Sequence, residues 1–331
     1  MHKHTVYFLT FVLFFLSCAT DSESYIPASS GSPGHVLIIM ENQKWKYEPG
    51  KTVREAFNQP YEILPQDEPI FDYSHIPPEA YSSLLNKSRN ILIAKISVNV
   101  KKPEILISKN KYAKPQLIIT VKARNNKEFV ELFKKNADKI IYNFVKAERE
   151  RLTDAYENKF LDKKIYETLK KEHHILLSVP KGFKLDIDSA HFVWISRETP
   201  YSSQGILIWD YPYTDTLQLE KENLLKKRDS VLKHYVPGPA KNSYMTTEYF
   251  IDPSYTEFML HKKYAVMIRG LWKITGVKGI FQGGPFINLT VVDQKRERLI
   301  TADGYVYGGR KKKRELMRQV EAILRTLKID E

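Results

Sequence analysis

The sequence holds one cysteine, Cys18, among 331 residues. Such a chain has no disulfide framework and, beyond residue 18, no thiol nucleophile, so its body must be held by packing alone. Enzyme signatures are missing as well: there is no G-x-x-x-x-G-K-[ST] phosphate loop, no G-x-G-x-x-G, no H-E-x-x-H and no G-x-S-x-G elbow. Their absence argues against a nucleotide-dependent enzyme, a zinc protease or an α/β-hydrolase. No apolar run reaches the 18 or more residues of a membrane-spanning helix. No repeat recurs at a fixed period. Neither proline nor glycine occurs between Pro115 and Pro180, and that gap marks helix.

What is present suffices for a core, with 42% hydrophobic and 12% aromatic residues. At roughly 100 to 200 residues per domain the length predicts two. The first residues read as an export leader: Lys3 lies in a short basic stretch, and residues 6–16 are apolar except Thr10. Eleven helical residues span only about 16 Å against about 30 Å of hydrocarbon, so this run directs export without crossing the bilayer.

Phe15-Leu-Ser-Cys18 ends the leader, with a small residue before the cysteine. This resembles a lipobox, although Phe15 stands where leucine is usual. The resemblance implies a signal peptide over residues 1–17 and a diacylglycerol on Cys18, with palmitate-type acyl chains holding the protein to a membrane. The alternative is an ordinary cleavage site that releases a soluble chain at Thr20. Ala19 is not the aspartate that commonly retains lipoproteins at the inner membrane, so the outer membrane is favoured. Residues 18–34 are polar and read as a tether, placing the body roughly 20 to 25 Å from its anchor.

The net charge is +13. For an exported chain this points to an anionic lipid, a glycan or an envelope protein as partner rather than nucleic acid. Arg310, Lys311, Lys312, Lys313 and Arg314 form the densest basic run, and read either as a contact for anionic headgroups or as a solvated helix start.

Periodicity predicts an α+β protein. Strands alternate with helices over residues 35–125, with strands at 36–40, 69–73, 90–98 and 115–121 and helices at 51–58 and 77–85. Residues 126–172 form a long connecting helix, with Glu148-Arg-Glu-Arg151 as a break or an exposed charged turn. Residues 173–331 form a C-terminal antiparallel sheet with helices packed on one face.

Several stretches in order, including Gly34-His-Val-Leu-Ile-Ile-Met40, Pro69-Ile-Phe-Asp-Tyr73, Phe192-Val-Trp-Ile195, Tyr211-Pro-Tyr-Thr-Asp215, Tyr235-Val-Pro-Gly-Pro239 and Arg269-Gly-Leu-Trp272, resemble a family of Gram-negative envelope lipoproteins, domain of unknown function 4837. The resemblance spans nearly the whole mature chain. It implies the lipoprotein character and assigns no activity. One departure is His261-Lys-Lys263, where a tighter Asn-Gly hairpin turn is expected.

Trp209, Tyr211 and Tyr213, together with Trp194, Trp272, Tyr305 and Tyr307, concentrate aromatics in the second part. They read either as sheet core or as a groove stacking a glycan or peptide. His173-His174 point apart on any regular backbone and read as a solvated helix end rather than a metal pair. Asp186 and Asp188 lack the further oxygens of a calcium loop. Asp72, His75 and Arg89 read as loop packing. Neither metal nor cofactor is expected. The sequence therefore predicts a noncatalytic, membrane-anchored binding or assembly component, with an envelope enzyme lacking a visible motif as the alternative.

Overall fold

A computed structural model describes residues 26–309 and 311–330. The leader, Cys18 and Arg310 lie outside the described residues. The first part is a five-stranded sheet built from His35–Ile39 (β1), Asp72–Ile76 (β2), Asn90–Ile96 (β3), Glu104–Lys109 (β4) and Leu117–Ala123 (β5), in the order β2-β1-β3-β5-β4. All pairs are parallel except β4 with β5. Parallel strands need cover on both faces, which is why β1, β3 and β5 are nearly unbroken apolar runs. Helices Asn42–Lys46 (α1), Glu48–Phe57 (α2) and Asn126–Asn158 (α3) supply one cover, with Phe57, Phe129, Phe133 and Phe144 packed on Ile38, Leu92 and Ile119. Tyr81, Leu85 and Tyr112 lie over Leu37, Ile39 and Ile118 on the other.

Three local expectations shift. The run expected as a strand at 69–73 begins its pairing only at Asp72. Residues 77–85 make no α-helix, because Pro78 holds Pro77 in the extended region, and only the short 3-10 turns Pro78–Ala80 and Leu85–Lys87 form. The expected tether is shorter: Ala28 bridges Lys114 and Ser30 bridges Ser88, so residues 26–34 are fastened to the body.

Helix α3 runs unbroken through Glu148-Arg-Glu-Arg151. That interruption of the apolar stripe is neither a break nor an exposed turn. Glu148 is buried and accepts hydrogen bonds from Arg89 (2.9 Å), Asn90 (2.6 Å) and Arg151 (2.8 Å). Burial pushes the Arg151 guanidinium down to about 10. The break comes later, where Asp162 caps Lys163–His173 (α4) by accepting from the Lys164 and Ile165 amides.

The remainder comprises Ile175–Leu176 (β6), Lys184–Ser189 (β7), Phe192–Glu198 (β8), Ser203–Pro212 (β9), Lys221–Tyr235 (α5), Tyr244–Glu248 (β10), Ser254–Leu260 (β11), Lys263–Thr275 (β12), Gly283–Asp293 (β13), Arg298–Tyr307 (β14), Arg314–Leu324 (α6) and Lys328–Ile329 (β15). Eight strands form one antiparallel sheet, ordered β10-β12-β13-β14-β9-β8-β7, with β11 also on β12. The fold is α+β, as the sequence predicts. Its helices, expected on one face, cover both: α5 packs Leu224, Leu225 and Leu232 against Leu207, Ile268 and Trp272, while α6 packs Met317, Val320 and Leu324 against Ile206, Leu289 and Ala302. Strand alternation gives each face its own apolar set.

The β11–β12 hairpin turns through His261 and Lys262, both at positive φ (47° and 69°). This is the geometry that favours Asn-Gly. The His261 ring N–H donates to the Arg325 carbonyl at 2.9 Å, which offsets part of the strain.

Helix α6 joins the two sheets. No side chain of its own caps it; Glu68, far away in sequence, accepts from the Lys313 and Arg314 amides. Arg314 donates to Asp72 and the Pro69 carbonyl, Arg318 donates to the Ile70 carbonyl, and Glu321 pairs with Arg149, Arg269 and Arg325. Burial opposes ionisation of Glu321, but these three guanidiniums hold its carboxyl far below the ordinary 4.5.

A carboxyl depressed in the fold contributes stability that is fully present above its unfolded value and is lost as pH falls towards the folded one. Glu321→Gln leaves buried arginines unpaired and is expected to cost about 3 to 5 kcal/mol at pH 7. In urea denaturation series, the gap between wild type and variant should narrow progressively below about pH 4.5. A gap unchanged down to pH 3 would contradict this assignment.

Candidate binding cleft

Strands β8, β9 and β14 end beside one another where Phe192, Trp209 and Thr301 come into register, and the C-terminal half of α5 crosses above them. Between helix and strand ends opens a cleft of about 490 Å³. Its walls carry Trp209, Tyr211, Lys227, Tyr235, His191 and Arg298. Residues 209 and 211 lie two apart on a strand, so both side chains face α5. Each is partly absorbed by core packing with that helix.

Trp209 is 2% exposed, yet its indole N–H has no hydrogen-bond partner among the described residues. An unsatisfied buried donor costs about 1 to 3 kcal/mol, and in native structures such groups call for an explanation. Burial pushes the Tyr211 phenol up to about 12, and the Lys227 ammonium sits 4.4 Å from its ring centroid. Tyr235 stacks on Phe192 at 4.1 Å and 7°. The exposed His191 ring reaches Asp210 at 3.3 Å.

Arg298 fixes the floor of the cleft. It donates to Asp293 at 3.1 Å, to Asp210 at 3.3 Å and to the His173 carbonyl at 2.7 Å. Arg296 likewise pairs with Asp293 and donates to the Asp330 carbonyl. Both guanidiniums are therefore spent on positioning. The polar groups left at the cleft surface are the Tyr211 and Tyr235 phenols, the Glu297 carboxylate, the His191 imidazole and the Lys227 ammonium, while the Trp209 indole nitrogen is itself buried. This set suits recognition of a polar, planar or hydroxylated group.

The other predicted residues scatter. Tyr213 lies in a neighbouring depression with Tyr255 and Tyr264. Lys311 and Lys312 are exposed, whereas Lys313 and Arg314 are buried at 1% and 2% and make no surface contact. The Lys313 ammonium turns inward to Gln66 and to the Gly309 and Lys311 carbonyls, because Glu68 and Asp72 draw the end of the run against the first sheet. Asp72, His75 and Arg89 go to three separate networks: Asp72 to Arg314, His75 to the Met40 carbonyl and the Trp45 ring, and Arg89 to Glu148. His173 is buried and bonds Asp188 at 2.7 Å, while His174 takes the left-handed cap position of α4. His191, Lys227, Tyr235 and Arg298 went unnoticed in the sequence. They come from the β7–β8 turn, α5 and β14, and only the W-x-Y spacing on β9 hinted at the site.

Arg298→Ala should leave the 1%-exposed Asp293 with Arg296 alone and Asp210 without its guanidinium, at a cost of about 1 to 3 kcal/mol. Arg298→Lys should recover less than half of it, since an ammonium cannot span three acceptors in a plane. Guanidinium titration monitored by tryptophan fluorescence checks both, and full recovery by lysine would refute the clamp.

Among curated proteins none matches the chain. Solved structures give slight likenesses. The Ran-binding protein Mog1p of Saccharomyces cerevisiae is 10% identical with a TM-score of 0.31, over 48% of this chain and 91% of that one. LpqN, involved in cell envelope biogenesis of Mycobacterium tuberculosis, is 15% identical with a TM-score of 0.29, over 47% and 82%. Among the described residues no helix is long and apolar enough to cross a membrane. Two family models match. The stretches at 34–40 and 69–73 fall within residues 29–157, which match a second domain of unknown function (DUF8532) rather than the family resembled by the whole chain. Residues 162–326 belong to the domain of unknown function DUF4837, so the cleft lies wholly within that family's part of the chain.

Proposed function

We propose that this protein is an envelope lipoprotein, exported by residues 1–17, anchored to the outer membrane by acyl chains on Cys18, and acting as a noncatalytic binding component. The sole cysteine of the chain stands immediately behind an eleven-residue apolar run and a small residue, and that observation carries the anchor. Several acyl chains, each methylene contributing about 0.8 kcal/mol, make such attachment effectively permanent. The cleft supports the binding reading: its arginines are consumed by structural pairs, and Tyr211 and Tyr235 line it with aromatic surface. A glycan or an extended peptide would stack on the flat side of this aromatic wall.

Metabolic labelling with a clickable palmitate analogue tests the anchor. Label is expected on the native chain and absent from Cys18→Ala; equal label on both would end the lipoprotein reading. For the cleft, photo-crosslinking from position 227 in intact cells should capture an envelope partner that Trp209→Phe with Tyr211→Ala no longer yields. Unchanged capture would remove the cleft from the function.

A further inference from the structure

All strands of the large sheet finish at one of two ends, and the two ends differ in chemistry. At the end opposite the cleft, register brings together the close of β12 with the start of β13 (Lys273 with Gly283), and the close of β14 with the start of β9 (Tyr307 with Ser203). Tyr244 at the start of β10 faces Thr275 at the same end. Four loops gather there: residues 199–202, 237–243, 276–282 and 308–313. None of them contains aspartate or glutamate, and their exposed lysines are Lys241, Lys278, Lys311 and Lys312. They also expose apolar side chains that nothing in the fold covers: Phe281 is 97% exposed, Tyr201 73% and Val277 40%. The cleft end, by contrast, interleaves Asp188, Asp210, Asp293 and Glu297 with Arg296 and Arg298.

The loop at 308–313 joins this end to the first sheet. Lys311 lies 5.3 Å over the Tyr201 ring, and Lys312 reaches Asp72 at 3.7 Å. Asp72 begins β2, on the edge of the five-stranded sheet where β1, β3 and β5 also begin. That is the edge to which the incoming chain is fastened, Ser30 at Ser88 before β3 and Ala28 at Lys114 before β5. Leu84, Lys111 and Lys114 are exposed along it.

We propose that this end of the molecule docks on the membrane surface, with Phe281, Tyr201 and Val277 entering the interface and Lys241, Lys278, Lys311 and Lys312 meeting anionic lipid headgroups. The inference rests on the anchored reading. From Cys18 to Ile26 the chain reaches at most about 25 to 30 Å, so a body fastened at Ala28 and Ser30 stays within that distance of the bilayer. Aromatic side chains favour the headgroup level, and each lysine near an anionic surface contributes about five-fold in partition. Held there by its anchor, the body needs only weak intrinsic affinity to stay docked.

The test uses the mature chain, residues 18–331, with Cys18→Ser, so that no lipid is attached. It is sedimented with vesicles of phosphatidylethanolamine and phosphatidylglycerol, and with pure phosphatidylcholine, at low salt. Partition should be at least about ten-fold stronger to the anionic vesicles and should fall as salt is raised. Phe281→Ser with Tyr201→Ser should weaken it about ten-fold. Lys278→Glu with Lys311→Glu should weaken it about 100-fold or more. Lys295→Glu, at the cleft end, should leave it unchanged. These loop substitutions bury nothing, and matching thermal midpoints confirm that each variant is folded.

Equal partition to both vesicles, no partition, or indifference to the loop variants overturns the proposal. So does a dimer in sedimentation velocity that Phe281→Ser dissolves, which would make this end an interface between copies. Because the tested chain carries no acyl group, its result and the palmitate label on Cys18 fail independently.

Discussion

Helix α6 has two faces that answer to two different sheets, and the rest of the architecture depends on both being satisfied at once. Its apolar stripe of Met317, Val320 and Leu324 closes one side of the antiparallel sheet. Its charged stripe, Arg314, Arg318, Glu321 and Arg325, recurs at helical spacing and is buried or nearly so against the first sheet, α3 and β12. Taking such ions from water costs several kcal/mol each, and the pairs restore this only when donors and acceptors meet at good geometry. The gain is therefore in register more than in net stability: a rotation or one-turn slide of α6 would strand Glu321 away from Arg149 and Arg269. With α6 fixed, β14 is fixed beneath it, and Arg298 at the head of that strand can clamp the floor of the cleft.

A second polar core locks the other face of the sheet. Arg228 of α5 is fully buried, donates to Asp303 (2.7 Å) and Thr247 (2.9 Å), and lies 3.5 Å from the Phe286 ring centroid, while Asn288 donates to the same aspartate. It directly follows Lys227 on α5, so the helix that carries one wall of the cleft is held by an ion pair in the sheet rather than by apolar contact alone. Both walls of the cleft are thus positioned by buried charge, which accounts for arginines that look available in sequence and are engaged in space.

The elements that the sequence disclosed are those whose signal is local. Residues 36–40 and 91–94 are continuous apolar runs, the stretch from Phe129 to Leu169 keeps helical periodicity without proline or glycine, and the last helix shows its stripe plainly. What escaped depends on distant partners. Strand β4 is an edge strand whose Ile107 stays exposed, so its alternation looks like loop. In β7 a bulge between Leu185 and Ile187 breaks the two-residue period. The basic run at 310–314 reads as solvated because Glu68 and Asp72, which bury its second half, lie some 240 residues earlier. Glu148-Arg-Glu-Arg151 reads as a surface turn because Arg89 and Asn90, which bury it, belong to another strand. Charge patterns carry no address for their partners, whereas apolar periodicity describes its own face.

The polarity of the large sheet then ties anchor and cleft together. Strand β14 runs ten residues from Arg298 at the cleft to Tyr307 beside the basic, aromatic loops. At about 3.3 Å per residue the two ends stand about 30 Å apart, close to the thickness of the domain. A body docked by Phe281, Tyr201 and the four lysines presents Trp209, Tyr211 and His191 on its far side, away from the lipid. The apolar, lysine-bearing loops stand at the opposite end from the mixed acidic and basic rim of the cleft, so the two chemistries are segregated along one strand direction. In the proposed docking, the same antiparallel register that makes the sheet sets the basic, aromatic loops towards the membrane and the cleft away from it.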